Sequence, residues 1–252
     1  MAFKIAVDAG HYYNTPDRRC LKSVDPNETR EWTMNARVAE YFIESAKKYE
    51  GVEILRIDDA TGKKDVSLAN RSAKANKWGA DFYLSIHHNA GVNGGKGGGV
   101  VTFAYKNGGK AEKYRDAIYD AVISAGGIKG NRYDPKATAN FAVLRETNMP
   151  SVLIECGFMD STTDIPIIIK KDYSKLVGYA MMEGVAKIAG LKKKEEKKVK
   201  LDNTPEKWAK EAVEWAVKEG ILKGDENGNY ALNSNVTVQK MLVFLHRYHK
   251  TK

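Results

Sequence analysis

Short apolar runs alternating with helical patterns through the first 190 residues constrain the fold most. The runs predict strands at residues 4–8, 52–57, 82–86, 100–105, 141–144 and 151–154. Helical spacing of apolar residues predicts helices at residues 31–48, 65–78, 111–125 and 172–188. Strands that alternate with helices of this length predict a three-layer α/β domain, with a mostly parallel sheet flanked by helices.

Polar residues capable of chemistry stand at the ends of three predicted strands. The stretch DFYLSIHHNA (residues 81–90) ends in two histidines and an asparagine, KIAVDAGH ends in His11, and PSVLIECGF carries Glu155 inside an apolar run. In an α/β sheet, ligands bind at the carboxyl ends of strands. The sequence therefore raises the hypothesis that these three ends meet at one site.

His11, Glu31 and His87 supply the two imidazoles and one carboxylate that zinc hydrolases commonly use as metal ligands. Asn35 lies one turn after Glu31 on the same predicted helix face, where it orients the carboxylate or caps a loop. Each residue alone also has a structural explanation, since a glycine-histidine pair is a common turn and a glutamate at a helix start favours the helix dipole.

Glu155 is an acidic residue in an apolar strand, which costs free energy unless the carboxylate is paired, metal-bound or catalytic. A glutamate beside a zinc-bound water accepts a proton and then delivers it to a leaving nitrogen. The alternative is a buried glutamate held by a basic side chain, for which Arg145 is the candidate.

Five motifs occur together in one order: VDAGH, the ExxxN of Glu31 and Asn35, the pair Asn70-Arg71, SIHHNA, and VLRETNMPSVLIECGF. In this combination residues 4–190 resemble the zinc-dependent N-acetylmuramoyl-L-alanine amidases, the peptidoglycan amidases of bacterial autolysins and phage endolysins. One segment departs from the family pattern: YYNTPDRR follows His11 where a Gly-Ala is usual a few residues on.

The resemblance implies that His11, Glu31 and His87 bind zinc and that Glu155 is the catalytic acid and base. The implied reaction is hydrolysis of the amide between the muramic acid lactyl group and the L-alanine of the stem peptide. Glu28 is a rival ligand to Glu31, but only Glu31 has an asparagine four residues later. His88 falls at a variable motif position, and strand alternation predicts that it points away from His87.

Substrate contacts are predicted for Asn89 and Arg71. The glycine-rich connection at residues 91–99 has two interpretations: it lines the cleft for a polymeric substrate, or it is only a turn.

The chain carries a net charge of +9, and the 14 basic and 9 acidic residues after Gly190 supply +5 of it. The charge run at residues 191–201 predicts a solvated linker between a catalytic domain at 1–190 and a module at 202–252. That module, with helices predicted at 205–219 and 236–249, resembles one S-layer-homology repeat. It departs from the usual Arg-Ala-Glu at Val238-Gln239-Lys240. Binding of anionic wall polymers is its predicted role, with self-association or simple packing as the alternative.

Together these features predict a zinc-dependent peptidoglycan amidase, of the phage endolysin type that causes host lysis. A bacterial autolysin or spore-lysis amidase and a non-enzymatic wall-binding protein on an amidase-like scaffold are the alternatives. A nucleic-acid partner would account for the charge but not for the four site residues. No run long enough to insert into a membrane and no signal peptide are recognised, so synthesis in the cytoplasm and action on the wall after release are expected.

Overall fold

A six-stranded mixed sheet lies at the centre of the N-terminal unit in this computed structural model, which describes residues 2–195 and 202–250. Its strands are β1 (Phe3–Ala9), β2 (Val52–Arg56), β3 (Phe82–Asn89), β4 (Val101–Ala104), β5 (Lys136–Thr138) and β6 (Ser151–Phe158). Their order is β2-β1-β3-β6-β4-β5. The pair β4–β6 is antiparallel and the other neighbouring pairs are parallel, which confirms the predicted mostly parallel sheet.

Helices cover both faces of this sheet, as the three-layer prediction requires. They are α1 (Glu31–Ala46), α2 (Leu68–Trp78), α3 (Lys110–Ser124), α4 (Ala142–Arg145), α5 (Ile165–Ile168) and α6 (Lys171–Ala189). Alternate residues of a strand point to opposite faces. Accordingly, Ile5 and Val7 pack into a large core with α1, α3 and α6, whereas Ala6 packs into a smaller core with residues of α2 and α4.

The predicted strand at 141–144 is wrong, because this segment forms the short helix α4. A four-residue apolar run fits a strand or a buried helical turn equally well, and here Val143 and Leu144 fill the smaller core as a turn of helix. The edge strand β5 was not predicted because its three residues, KAT, show no apolar alternation. Helix α2 begins three residues later than predicted, since the Ser67 hydroxyl caps it by accepting from the Asn70 N–H at 3.3 Å.

The chain divides into two compact units, Met1–Lys194 and Glu195–Lys252. In the second unit a short 3-10 turn (Lys207–Ala209) leads into α7 (Lys210–Lys218), and α8 (Val238–Lys250) follows a turn-rich loop. No residue of these three elements is buried. The boundaries 1–190, 191–201 and 202–252 stay predictions, and residues 196–201 of the predicted linker and residues 251–252 lie outside the described residues. Within the part of the chain that the structure describes, no helix combines the length and apolar character needed to cross a membrane.

Candidate metal centre

The carboxyl ends of β1, β3 and β6 lie side by side, so the three strand ends highlighted by the sequence do meet. Strand β3 lies between β1 and β6, and His87 of β3 is the direct cross-strand neighbour of Glu155 on β6. His11 follows β1 by two residues, and Glu31 is the first residue of α1, which packs on β1 and β3. Four side chains from four elements therefore converge at one edge of the sheet.

His11, Glu31 and His87 form a tight cluster in which one ligand atom from each residue lies within 4.8 Å of the others. The two carboxylate oxygens of Glu31 face different imidazoles: Oε1 is 3.1 Å from His87 Nδ1, and Oε2 is 3.2 Å from His11 Nε2. The two imidazole rings meet edge to face, with centroids 5.0 Å apart. Glu28, the rival carboxylate, pairs instead with Arg19 at 3.6 Å and Lys22 at 4.0 Å.

The three groups of this cluster shift one another's pKa: burial lowers that of His87, but the hydrogen bond and charge of Glu31 outweigh burial and raise it. Burial raises the pKa of Glu31, but the hydrogen bond and charge of His87 together with the charge of His11 outweigh burial and lower the pKa to about 2. Burial lowers the pKa of His11 to about 4 despite the nearby Glu31. At neutral pH, Glu31 is therefore a carboxylate and His11 is a neutral imidazole with a lone pair to offer.

Glu31 Oε2 is the observation that tests the fit of a metal. This oxygen is buried and has no hydrogen bond, although His11 Nε2 lies 3.2 Å away. A buried carboxylate oxygen without a partner is costly. A cation between these two atoms would give both the carboxylate oxygen and the imidazole nitrogen a partner. The donor set of two nitrogens and one carboxylate suits zinc.

Asn35 and His88 hold the Glu31 carboxylate of the cluster in place through hydrogen bonds. The Asn35 amide nitrogen donates to Glu31 Oε1 at 3.3 Å and to the Gly10 carbonyl at 3.1 Å, while its oxygen lies 2.7 Å from His88 Nδ1. His88 is 1% exposed, and burial lowers its pKa to about 3, so it is neutral. Its side chain lies outside the metal-ligand cluster, and its backbone N–H donates to Glu31 Oε1 at 3.2 Å.

The backbone around His11 is shaped to bring the two histidines together. A Cβ atom on Gly10 would overlap the His87 ring, so only glycine allows the two segments to approach this closely. His11 itself has a positive φ of 67°, a conformation uncommon for residues with a side chain. Such a conformation persists only where surrounding contacts hold it.

Arg71 provides those contacts from α2. Its guanidinium donates to the Asp8 carboxylate, to the Ala9 carbonyl at 2.9 Å and to the His11 carbonyl at 2.8 Å, and its Nε donates to the Val66 carbonyl at 2.7 Å. The predicted substrate contact of Arg71 stays a prediction. The geometry shows that the buried guanidinium ties the end of β1, and with it His11, to the start of α2.

Replacing Arg71 with methionine is expected to lower the free energy of unfolding by about 3–5 kcal/mol, because the Asp8 carboxylate stays buried without its partner. Urea denaturation of the metal-free protein measures the effect. The double change Arg71→Met with Asp8→Asn should recover part of the loss, since it removes the uncompensated charge. A single Arg71→Met variant as stable as the wild type would show that the pair does not hold this edge of the sheet.

Glu155 lies beside the cluster with one carboxylate oxygen left without a partner among the described residues. Its Oε2 atom is buried without a hydrogen bond. Burial and the charge of Glu31 raise its pKa to about 8, against the lowering effects of His87 and Arg18. The alternative that Arg145 holds Glu155 is wrong, because the Arg145 guanidinium bonds Asn140 and Glu146 instead.

A cavity of about 470 Å³ opens over the cluster and Glu155. Asn89 lines it, but residues 91–99 do not. Three backbone N–H groups of that connection, from Gly91, Val92 and Asn93, donate to one oxygen of Asp160 at 2.7–2.9 Å. The cavity wall also contains side chains that the sequence reasoning missed: Arg18, Leu68 and Phe141. The sequence did contain an indication of Arg18, because this residue lies in the segment after His11 that departs from the family pattern.

Comparison with known proteins agrees with this geometry. The sequence model of the N-acetylmuramoyl-L-alanine amidase family matches residues 5–187, and that of the S-layer homology domain matches residues 201–237. The sporulation-specific N-acetylmuramoyl-L-alanine amidase of Bacillus subtilis (strain 168) is 33% identical over 75% of this chain and 69% of its own length. The endolysin of Bacillus phage SPP1 is 37% identical over 50% of this chain, which spans less than half (47%) of that endolysin.

A solved structure shares the fold. The N-acetylmuramoyl-L-alanine amidase from Clostridium difficile 630 aligns with a TM-score of 0.65 at 26% identity, covering 75% of this chain and 97% of that one. The resemblance drawn from the five motifs is thereby confirmed, as is the S-layer-homology resemblance of the tail. The chain belongs to the N-acetylmuramoyl-L-alanine amidase family and carries an S-layer homology domain near its C-terminal end.

Proposed function

We propose that this chain is a zinc-dependent amidase that cleaves the bond between the muramic acid lactyl group and the L-alanine of the peptidoglycan stem peptide. One observation carries the proposal. A buried carboxylate oxygen of Glu31 has no hydrogen bond and lies 3.2 Å from His11 Nε2, inside a two-histidine, one-glutamate cluster beside Glu155. Family membership supports the substrate and the bond.

His11, Glu31 and His87 are the residues that would hold zinc, and Asn35 and Arg71 keep them in place. When bound, zinc polarises the scissile carbonyl and lowers the pKa of a coordinated water. Glu155 neighbours His87 across the sheet, where a bound cation would favour the ionised carboxylate that accepts a proton.

Glu155 moves the proton. Its carboxylate takes a proton from the attacking water as the new bond to the lactyl carbon forms. The same carboxyl then donates that proton to the alanine nitrogen as the amide bond breaks. The products are a lactyl carboxylate and a free L-alanine amino group. The Oε2 atom of Glu155 is buried, which limits the competition of bulk water for this proton.

Two measurements on the same preparation test this proposal. Zinc content is expected to approach one ion per chain, and dye-labelled cell walls should release soluble dye. Chelation should stop the release, and added zinc should restore it. A protein that binds walls but releases no dye with zinc bound would instead be a non-enzymatic wall-binding protein on an amidase-like scaffold.

Host lysis by a phage endolysin is the setting that we propose for this activity, and a bacterial autolysin or spore-lysis amidase is the alternative. Proteins similar to this chain include a phage endolysin and a sporulation-specific amidase. Two lysis experiments distinguish these settings. In one, the protein is added to intact cells from outside; in the other, it is made inside cells together with a membrane-permeabilising agent. The comparison shows whether lysis needs membrane lesions, as for an endolysin, or proceeds as ordinary wall turnover.

The C-terminal module is proposed to bind anionic wall polymers. A cavity of about 640 Å³ within it is lined by Lys223, Lys240 and Arg247 and by one acidic residue, Asp225. Clustered cations around a cavity attract polyanions, and this attraction weakens with salt. The alternative role is self-association, since Trp208, Val238 and Leu242 expose 57–87% of their surface.

Replacing Lys223 and Lys240 with glutamine in the full chain should weaken binding to purified walls by at least about tenfold. The matched control is Lys210→Gln with Lys218→Gln on α7, which removes the same charge outside the cavity. Co-sedimentation with walls at several salt concentrations measures both. Equal losses in the two variants would indicate a general charge effect, and no loss in either would favour self-association, visible as concentration-dependent mass in analytical ultracentrifugation.

A further inference from the structure

We propose that Arg18 binds a carboxylate on the peptide side of the scissile amide and thereby makes the enzyme discriminate between stem peptides. This inference rests on the proposed amidase function and deepens it. Arg18 belongs to the segment after His11 that departs from the family pattern, so it concerns this chain's own cavity rather than the shared metal ligands.

The backbone of Arg18 is fixed although its side chain is exposed. Its carbonyl accepts from the Glu31 N–H at 3.0 Å, which joins it to the first residue of α1. The next residue, Arg19, forms an antiparallel bridge with Arg30, and the Cys20 N–H donates to the Thr29 carbonyl at 3.0 Å. An anchored Cα places the flexible side chain within reach of the metal ligands rather than on a free loop.

Arg18 lines the cavity, and its side chain has no hydrogen bond or ion pair with any of the described residues. The other arginine in the cavity wall, Arg71, is buried; its guanidinium donates to Asp8 and to three backbone carbonyls and lies 4.0 Å from the Asp65 carboxylate. The neighbouring Arg19 pairs with Glu28. Among the described residues that line this cavity, Arg18 is thus the cation with donors left for a ligand.

The charge of Arg18 acts at the reaction centre. Burial is the main cause of the shifts at His11 and Glu155, and beyond it the positive charge of Arg18 lowers the pKa of both groups. The guanidinium therefore lies within electrostatic range of a metal ligand and of the proton-transfer group. A ligand held by Arg18 would lie in the same cavity as these two groups.

The chemistry of the substrate identifies the ligand. The muramoyl side of the scissile amide is uncharged, whereas the residue after L-alanine carries an α-carboxyl group that is either a free carboxylate or a primary amide. Guanidinium groups bind carboxylates through two parallel hydrogen bonds, and these charge-assisted bonds are among the strongest in proteins. Leu68, Phe141 and Val143 form an apolar part of the cavity wall.

The test compares two muramoyl tripeptides that differ only in this group, free carboxylate against primary amide. The wild type should prefer the carboxylate form. Arg18→Gln should reduce the ratio of kcat/KM for the carboxylate form to kcat/KM for the amide form by about 10–100-fold. The reduction should come from a higher KM for the carboxylate form. Arg18→Lys should restore part of the ratio, because it keeps the charge but loses the paired donors. Arg19→Gln is the matched control and should keep the wild-type ratio.

An unchanged ratio in Arg18→Gln, or the same reduction in Arg19→Gln, would overturn the assignment while leaving the amidase proposal intact. An equal fall in kcat/KM for both substrates would also overturn it, since it would indicate a general disturbance of the site. Failure of the zinc-loaded wild type to hydrolyse either compound would overturn the proposed function and this inference together.

Discussion

Glu155→Gln is expected to reduce the rate of wall hydrolysis by about 10²–10⁴-fold, the range over which positioned acid–base groups contribute to catalysis. Glutamine keeps the size and polarity of the side chain but neither accepts the proton of the attacking water nor delivers one to the alanine nitrogen. Because Glu155 lies beside the cluster and not in it, zinc content should stay near the wild-type value. Release of new amino groups from purified walls measures the rate.

The matched control is Glu146→Gln, which removes an acid from the same part of the chain. Glu146 is exposed and pairs with Arg145 at 2.8 Å, outside the cavity. We expect it to lyse walls at the wild-type rate. Full lysis by Glu155→Gln with zinc bound would mean that another group moves the proton.

The free energy of unfolding of Glu155→Gln, measured against pH, tests whether this variant is folded. It also tests the raised pKa of the Glu155 carboxyl independently of activity. In the metal-free protein, burial raises the folded-state pKa of Glu155 from 4.5 to about 8. Its contribution to stability is therefore fully present below pH 4.5 and is lost as pH rises toward 8. Relative to the wild type, Glu155→Gln should gain up to about 1.4 kcal/mol per pH unit across this window. Urea unfolding at pH 5 and pH 8 measures the difference, and no widening with pH would contradict the account.

Glu31→Gln is expected to abolish stoichiometric zinc binding and, with it, hydrolysis. The carboxylate is the anionic member of the cluster, and both of its oxygens lie 3.1–3.2 Å from an imidazole nitrogen. The loss in zinc affinity should exceed the roughly 10–100-fold cost of replacing an outer-shell partner. Competition with a chromophoric chelator measures affinity, and metal analysis after dialysis measures stoichiometry.

Glu28→Gln is the control for this change, because Glu28 lies three residues earlier and its carboxylate pairs with Arg19 and Lys22. It should bind zinc as the wild type does. If Glu31→Gln retained zinc while Glu28→Gln lost it, the rival assignment from the sequence would be correct. If both retained zinc, the metal would have to bind elsewhere in the chain.

The sequence was sufficient to predict the sheet and the convergence of the strand ends, because both depend on local patterns. Strand alternation separated His87 from His88, and the four-residue spacing of Glu31 and Asn35 placed both on one helix face. The same local reasoning failed at residues 141–144, where tertiary packing of Val143 and Leu144 decided between strand and helix. It also missed β5, whose pairing with β4 rests on backbone bonds rather than on an apolar pattern.

The sequence could not show which of Arg71, Glu155 and Arg18 has a partner, because this depends on contacts between distant segments. Arg71 reaches residues about 60 positions earlier, and Glu155 is unpaired because Arg145 turns toward Asn140 and Glu146. Arg18 and Arg19 look equivalent as neighbours in the chain. Only the fold shows that one lines the cavity and the other pairs with Glu28.

Identification of the new end groups after digestion of purified peptidoglycan tests the central claim most directly. The account predicts free amino-terminal L-alanine, in amounts that rise with lysis, depend on zinc and disappear in Glu155→Gln. No new reducing sugar should form. New reducing ends without free L-alanine would show that the enzyme cuts the glycan, and new amino termini of any other residue would show that it cuts a bond within the peptide.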